Sequence, residues 1–556
     1  MVKKPGKNFF RHFCQRISRS REKKIEKIIT YYPRFRTVED LTNHYHRACW
    51  YLPRIAGVLE YVNLFQKIGR NASPGEPPAH MVSAGSRPSH LLVKNGISQF
   101  YKTLFRSRLI LVWKNYKPLL WKFLALFGIT AVNVDTHDLS SREYGAYCGV
   151  IWFRLLSPEQ KTAILSENYQ RFSRAAYDII DKKYSRSCVF GTGPSLGKAY
   201  EFDFTGCLNI VCNSIVQNRK LLDHIKPTFI CAGDVVSHLG VSRYAGKFRE
   251  DLVNVLKSRD RDLYFITTAA FGYLFTLNHP EVKDRTILIH QSLPGPNYDL
   301  LHGFGLPALD STLNIHMLPL ASTFTREIFL LGCDGKNSQQ DNEDFWAHAR
   351  EAQYYDLVNS GHLCHPTFDA HRQKKTYDGY IQSLETVITA GENLHGKTFW
   401  TLQPSNVPIL KSRQIPREWI SPGKNKKTVI ACFPQLKRNL PANGKIKKKN
   451  RELSIRAEFS RIQFDPGGSL FISGWILSPL PVDRIEIFAN DLPLGTTMLE
   501  FGTRNDLYNK YPRYGDKWIA FRFYGNMNTN DKNLKLLVKF YSRKKIVKEI
   551  EKIIKP

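Results

Sequence analysis

Several common patterns are missing from this 556-residue chain, and each absence removes a class of protein. No run approaches the ~20 apolar residues that a helix needs to cross a bilayer. The most apolar stretch, Pro118 to Val134, is cut by Lys122 and reads as a buried helix running into a strand. No long apolar core follows the basic amino terminus, as a secretory signal would require. The ten cysteines stand singly, without a C-x-x-C pair, which argues against a disulfide framework and for buried thiols in a reducing compartment. Acidic residues are scarce beside basic ones: 49 Asp and Glu face 81 Lys and Arg, a formal charge of +32. That surplus calls for an anionic partner, whether nucleic acid, an acidic membrane face or a phosphate-bearing substrate. Nucleic acid is disfavoured, because no RNP, KH, zinc-finger or helix-turn-helix signature is present. A non-catalytic polyanion-binding protein stays open on charge alone. Residues Asn8 to Tyr32 interleave apolar with basic side chains. They read as a solvated basic helix or as one lying on an anionic membrane surface.

What is present is a core-forming composition, 42% hydrophobic and 12% aromatic, on a chain long enough for two to four domains. Residues 1–185 form a basic α/β amino-terminal region, in which Leu109 to Trp113, an apolar helix and Ile129 to Val134 resemble a β-α-β unit. Residues 186–421 alternate short β-rich runs with helical stretches: Ser187 to Phe190, Leu208 to Cys212, Thr228 to Ala232, Leu263 to Thr267, Thr286 to His290, Ile328 to Leu331 and Thr398 to Leu402. That alternation predicts a Rossmann-like parallel sheet. Residues 422–452 form a basic, breaker-rich linker, and 453–556 show period-two runs between turns, the pattern of an antiparallel β-sandwich.

The chemistry gathers at strand ends. Cys188 to Phe190 runs into Gly191-Thr192-Gly193-Pro194-Ser195-Leu196, a tight turn whose backbone N–H groups can approach a phosphate or a ribose. Leu196 stands where a dinucleotide fingerprint needs glycine, and Ala199 where Walker A needs Ser or Thr, so ordinary NAD and P-loop chemistry are disfavoured. Further polar residues end later strands: Asn213 after Cys212, Asp234 after Gly233, and Gly332-Cys333-Asp334 after Leu331. Ser311 and Thr312 precede a helix-compatible segment. Such positions are where open α/β sheets bind ligands.

The order G-x-G-P-S-L, C-N-S, D-S-T and E-I-F-L-L-G-C-D resembles the bacterial sialyltransferases that use CMP-activated sialic acid. The resemblance covers about residues 186–412 and includes a His before a long helix (His371, then Thr376 to Ala390), a strand and a polar loop at Gln403 to Pro408. It departs after Asp334, where Gly335 and Lys336 replace the usual aromatic residue. It implies a glycosyltransferase in which His371 is the base that deprotonates the acceptor, and Tyr354 and Tyr355 donate to the leaving phosphate. Gly191, Gly193, Pro194, Ser195, Asn213, Asp234, Ser311, Thr312, Gly332 and Asp334 would then line the nucleotide and donor pocket. No metal or other cofactor is required, the CMP-sugar being the donor substrate. The expected partners are that nucleotide sugar and a glycan or lipid-linked glycan acceptor, handled in the cytoplasm and peripherally at the inner membrane.

The same region is also similar to the 6-hydroxymethylpterin pyrophosphokinase-like fold, through G-P-S-L and Ile225-Lys226-Pro227-Thr228-Phe229 with Ala232-Gly233-Asp234. There Asp334 would hold Mg²⁺ against the phosphates of ATP. The set His348, His362, His365 and His371 with Asp334, Asp341 and Asp369 matches no zinc-ligand spacing. In the terminal module, Gly474-Trp475 and Arg504-Asn505-Asp506-Leu507 with Tyr511-Pro512 are similar to the β-sandwich appended to many bacterial glycosyltransferases. Trp475 is expected in its core rather than stacked on sugar.

Overall fold

The computed structural model describes residues 28–52, 59–82, 88–114, 118–126, 128–134, 150–258, 262–293, 295–336, 348–364, 376–416, 421–422, 429–430, 454–464, 469–478, 482, 484–496, 498–500, 518–526, 534–542 and 545–554. They form two parallel α/β sheets followed by two antiparallel sheets.

The first sheet comprises β1 (Ile28–Tyr32), β2 (Tyr61–Phe65), β3 (Leu91–Lys94), β4 (Leu109–Val112) and β5 (Thr130–Asn133) in the order β3-β2-β1-β4-β5, every pair parallel. Helix α1 (Val38–Tyr51) starts at Thr37, whose hydroxyl caps the Asp40 N–H. Helices α2 (Ile97–Arg106) and α3 (Pro118–Ala125) share a small core through Leu104, Trp121 and Leu124 over Ile110 and Val112. Two expectations change here. Ile28–Tyr32 is the central strand, because a β-branched and aromatic run buried on a sheet outweighs the helical reading of Asn8 to Tyr32; residues 1–27 lie outside the described residues. And α3 is only half buried, since Leu119 and Phe123 face outward while Trp121 and Leu124 face in.

After α4 (Ile151–Leu155) and α5 (Pro158–Asp181), the second sheet is built from β6 (Arg186–Phe190), β7 (Leu208–Cys212), β8 (Phe229–Cys231), β9 (Tyr264–Thr268) and β10 (Thr286–Ile289). A short pair, β11 (Gln291–Leu293) and β12 (Leu306–Pro307), intervenes before β13 (Glu327–Leu331) and β14 (Thr398–Thr401) complete it. The order is β10-β9-β8-β7-β6-β13-β14, all parallel, and each strand lies within two residues of its expected run. The connecting helices are α6 (Arg219–Ile225), α7 (Arg243–Ser258), α8 (Ala269–Asn278), α9 (Leu318–Phe324), α10 (Val358–Cys364), α11 (Thr376–His395) and, after β14, α12 (Pro408–Lys411). Apolar strands such as Cys188–Phe190 and Leu208–Cys212 are wholly buried between the helix layers, as a two-sided parallel sheet demands.

Packing places α5 with this second sheet rather than with residues 1–185. Its Tyr169 and Phe172 enter the second core, and its polar side chains cover the β10 edge: Asn168 Oδ1 accepts from the Leu288 N–H at 2.8 Å, and Arg171 donates to the Thr286 carbonyl at 2.9 Å. Without them that edge would present unpaired backbone groups. The two α/β units meet where Met81 bridges Ser242 and where the Val82 N–H donates to the Val241 carbonyl.

The tail begins with the short pair β15 (Ser421–Pro422) and β16 (Val429–Ile430); residues 423–428 and 431–452 of the expected linker lie outside the described residues. Strands β17 (Arg456–Phe464), β18 (Ser469–Leu477), β19 (Arg484–Ala489), β20 (Leu492–Thr496), β21 (Met498–Glu500), β22 (Trp518–Asn526), β23 (Leu534–Ser542) and β24 (Lys545–Ile554) make sheets β17-β18-β22-β21 and β20-β19-β23-β24. Alternate residues of the facing strands, Ile472, Phe521, Leu536 and Phe540 among them, fill the space between. Trp475 is buried, while Arg504 to Pro512 lie outside the described residues.

Asn168→Leu should destabilise the protein by about 1–3 kcal/mol in urea titrations, because the buried Leu288 N–H loses its acceptor while little volume changes. An unchanged midpoint would show that α5 does not protect the edge.

Candidate functional site

A parallel sheet whose strand order reverses opens a crevice at the carboxyl ends of the two strands flanking the reversal. Both α/β sheets have one. In the first, between β1 and β4, the crevice is filled: Phe35 stacks on Trp113 with ring centroids 4.6 Å apart, His44 packs against both, and the Trp113 indole donates to the Pro33 carbonyl. Among the described residues no glycine loop enters it. The glycine loop lies at the other reversal, in the second sheet between β6 and β13.

There the two strand ends are held nearly in contact. The Gly193 N–H donates to the Gly332 carbonyl at 2.8 Å, and the Gly191 N–H donates to Leu331, extending the ladder into the loop. A Cβ on Gly191 would stand 2.4 Å from the Gly332 carbonyl oxygen, and one on Gly332 would stand 2.2 Å from that of Gly191. Gly332 also has φ +75°, a conformation costly for any other residue. Pro194 opens a short 3₁₀ helix, Pro194–Glu201, whose first donors point into the crevice. They are met by Asp334, whose carboxylate accepts from the Ser195 N–H at 3.2 Å and from the Ser195 hydroxyl at 3.0 Å, while the Ser195 oxygen accepts from the Gly332 N–H. Burial raises the Asp334 pKa against the pull of these Ser195 bonds.

The neighbouring strand ends add neutral polar groups. Asn213, after β7, has a left-handed backbone (φ 51°), and its side-chain oxygen lies 3.4 Å from the Thr312 hydroxyl. Ser311 is left-handed too (φ 71°) and begins a π-helical turn, Leu313–Met317. Strained residues and π-turns collect at functional sites. Thr312 and His316, four residues apart, both face Gly233 after β8. His316 is wholly buried, with Nε2 3.3 Å from the Thr268 hydroxyl and Nδ1 without a hydrogen-bond partner among the described residues. Burial holds its pKa down to about 3, so the ring is neutral. His316 and Asn314 escape a sequence reading because nothing local in the helix-compatible segment after Thr312 shows which residues turn inward; their partners, Thr268 and Ser383, come from other elements.

The remaining sequence candidates divide. Asp234 spends its carboxylate on the turn that follows it, accepting from the Val236 and Ser237 N–H groups. The segment from His348 to Leu357 crosses the loops after β6 and β7: the Ala349 N–H donates to the Thr192 carbonyl, His348 Nδ1 lies 2.9 Å from the Thr192 hydroxyl, and Ser214 donates to the Ala352 carbonyl. Tyr354 turns its hydroxyl to α7. It donates to Asp251 on α7 at 2.7 Å, packs edge-on against Tyr244, and has its pKa driven up by burial. Tyr355, half exposed, donates to the His348 carbonyl. His371 lies outside the described residues, as do Asp341, His365 and Asp369. Among the described residues, no three His, Cys, Asp or Glu converge as a metal set. A cavity of about 570 Å³ lies elsewhere, at the seam of the α/β units between α7 and α8; in its lining Lys247 pairs with Glu250, His279 with Glu281, and the Arg249 guanidinium lies over the Trp50 ring.

Gly332→Ala should cost more than about 2 kcal/mol in chemical denaturation, since strain and a backbone clash combine. Gly197→Ala, whose new methyl would meet nothing closer than Glu351 at 3.9 Å, is the neutral control. Equal effects of the two would refute the close approach. His316 makes a pH prediction. Its folded pKa lies below the unfolded value, so the unfolded chain binds the extra proton and stability falls as pH drops from about 6.5 toward about 3. His316→Gln should flatten that acid slope by up to about 1.4 kcal/mol per pH unit, read from urea midpoints at two pH values in the window.

No protein-family model matches the chain, and no curated protein matches it either.

Proposed function

We propose that the β6–β13 crevice binds a CMP-activated acidic sugar, sialic acid or a related ulosonic acid, and that the protein transfers it to a hydroxyl of a cell-surface glycan. The observation that carries this reading is the half-buried Asp334 carboxylate clasped by Ser195 where the loops of β6 and β13 meet. In a phosphate-cradling loop those N–H donors would be open to phosphate oxygens. Here a carboxylate takes them, and its remaining lone pairs suit ribose hydroxyls, whereas a polyphosphate would be repelled without a bridging cation. The Asn213 amide and the Thr312 hydroxyl, neutral donors at the adjoining strand ends, suit the single phosphate of a CMP ester. The sequence resemblance to CMP-sialic-acid-dependent enzymes supplies the rest. In the reaction, the acceptor oxygen bonds to the anomeric carbon as the bond from that carbon to the phosphate oxygen breaks. The acceptor's proton passes to a base, His371 by resemblance, and CMP departs.

The test is which nucleotide binds. CMP should raise the melting temperature by several degrees, growing as RT ln(1 + [L]/Kd), while ATP with Mg²⁺ should do little. His371→Ala should lower transfer by roughly 10²-fold or more and leave the CMP shift intact. Stabilisation by ATP with Mg²⁺ but not by CMP would overturn the reading in favour of a pyrophosphokinase. Full transfer activity in His371→Ala would move the base to another residue.

A further inference from the structure

Helices α2 and α3 lie side by side on one face of the first sheet and bury their inner residues, Leu104, Trp121 and Leu124, against it. Their outer faces are apolar as well. Ile97, Tyr101 and Phe105 recur every four residues along α2; Leu119 continues the apolar face on α3, with Leu126 just past its end, and all five are more than half exposed, Leu119 at 82%. A helix pair that is apolar on both sides has a second partner to meet.

The charge around this stripe is one-sided. Lys102, Arg106 and Lys122 are exposed on the same two helices, and the chain from 77 to 134 holds eight Lys and Arg with no Asp or Glu. We infer that the α2–α3 face docks onto an anionic phospholipid surface, with the stripe in the acyl boundary and the cations among the headgroups. Apolar and basic groups together fit that medium, because phosphates attract the cations while the lipid interior takes the Ile, Leu and Phe side chains out of water. Nucleic acid offers the phosphates, but its backbone gives aliphatic Leu and Ile nothing to pack on. A second copy of the same face would set like charge against like. Residues 1–27 carry ten Lys and Arg against two Glu and would meet the same repulsion. Among the described residues no helix is long and apolar enough to cross a membrane, so the contact is along the surface. The inference does not depend on the reaction proposed above.

The test is co-sedimentation of the full chain with vesicles of phosphatidylcholine alone and of phosphatidylcholine with one third phosphatidylglycerol. The wild-type protein should pellet with the anionic vesicles only. Leu119→Ser/Leu126→Ser should lose at least about tenfold in partitioning, and Lys102→Gln/Arg106→Gln should also weaken binding, both with unchanged melting temperature. Vesicle binding that survives Leu119→Ser/Leu126→Ser would assign it to other basic segments and overturn the proposal, as would no binding by the wild type. A fall in melting temperature for that variant would show the stripe packed under the protein's own chain. A dimer that the variant dissociates, or duplex DNA binding that it abolishes, would assign the face to a second copy or to nucleic acid. Each of these three results also overturns the proposal.

Discussion

Two glycines that touch across parallel strands set the geometry of this protein. Gly191 and Gly332 approach so closely that neither tolerates a methyl group, and that approach pulls the loop after β13 over the loop after β6. Asp334 is thereby brought to Ser195, the Gly193 N–H to a carbonyl, and the start of the 3₁₀ helix to the crevice floor. The partners are about 140 residues apart in sequence, so the crevice exists only when the whole sheet has closed. Strained Asn213 and Ser311 add to the cost of assembling it, a cost carried by the wholly buried strands beneath.

The second fold-level constraint is that the crevice of one α/β unit is packed with its own aromatic side chains. The first sheet has the strand order of a nucleotide-binding half, yet Phe35, Trp113 and His44 fill the place where a ligand would sit. Strand order alone offers two crevices; side chains fill the first. The first unit meets the second through Val82, bonded to Val241, and Trp50, whose ring lies under the Arg249 guanidinium.

The strands of the second sheet were legible because buried parallel strands are short, apolar and bounded by glycine, proline or polar residues, as Leu208–Cys212 shows. The loops at their ends were legible from Gly191, Gly193, Asn213 and Asp334, since small and polar residues after such strands mark the binding edge. Three features were not. Ile28–Tyr32 is flanked by so much positive charge that its β-branched character was masked. Helix α5 has an amphipathic pattern but nothing in it names the sheet it covers; only the Asn168 and Arg171 bonds do. Tyr354 was placed by order along the chain, and its partner Asp251 comes from another helix about a hundred residues away, a pairing no local pattern encodes.

The covered edges of the second sheet limit how this protein can associate. On one side α5 occupies the outward-facing amide and carbonyl groups of β10; on the other, the Thr401 N–H of β14 donates to the Arg413 carbonyl, and Thr401 accepts from the Ile415 N–H. A peptide or a neighbouring subunit that sought to add a strand to this sheet would find those backbone groups taken. Recognition by strand addition is closed at these positions of the second sheet.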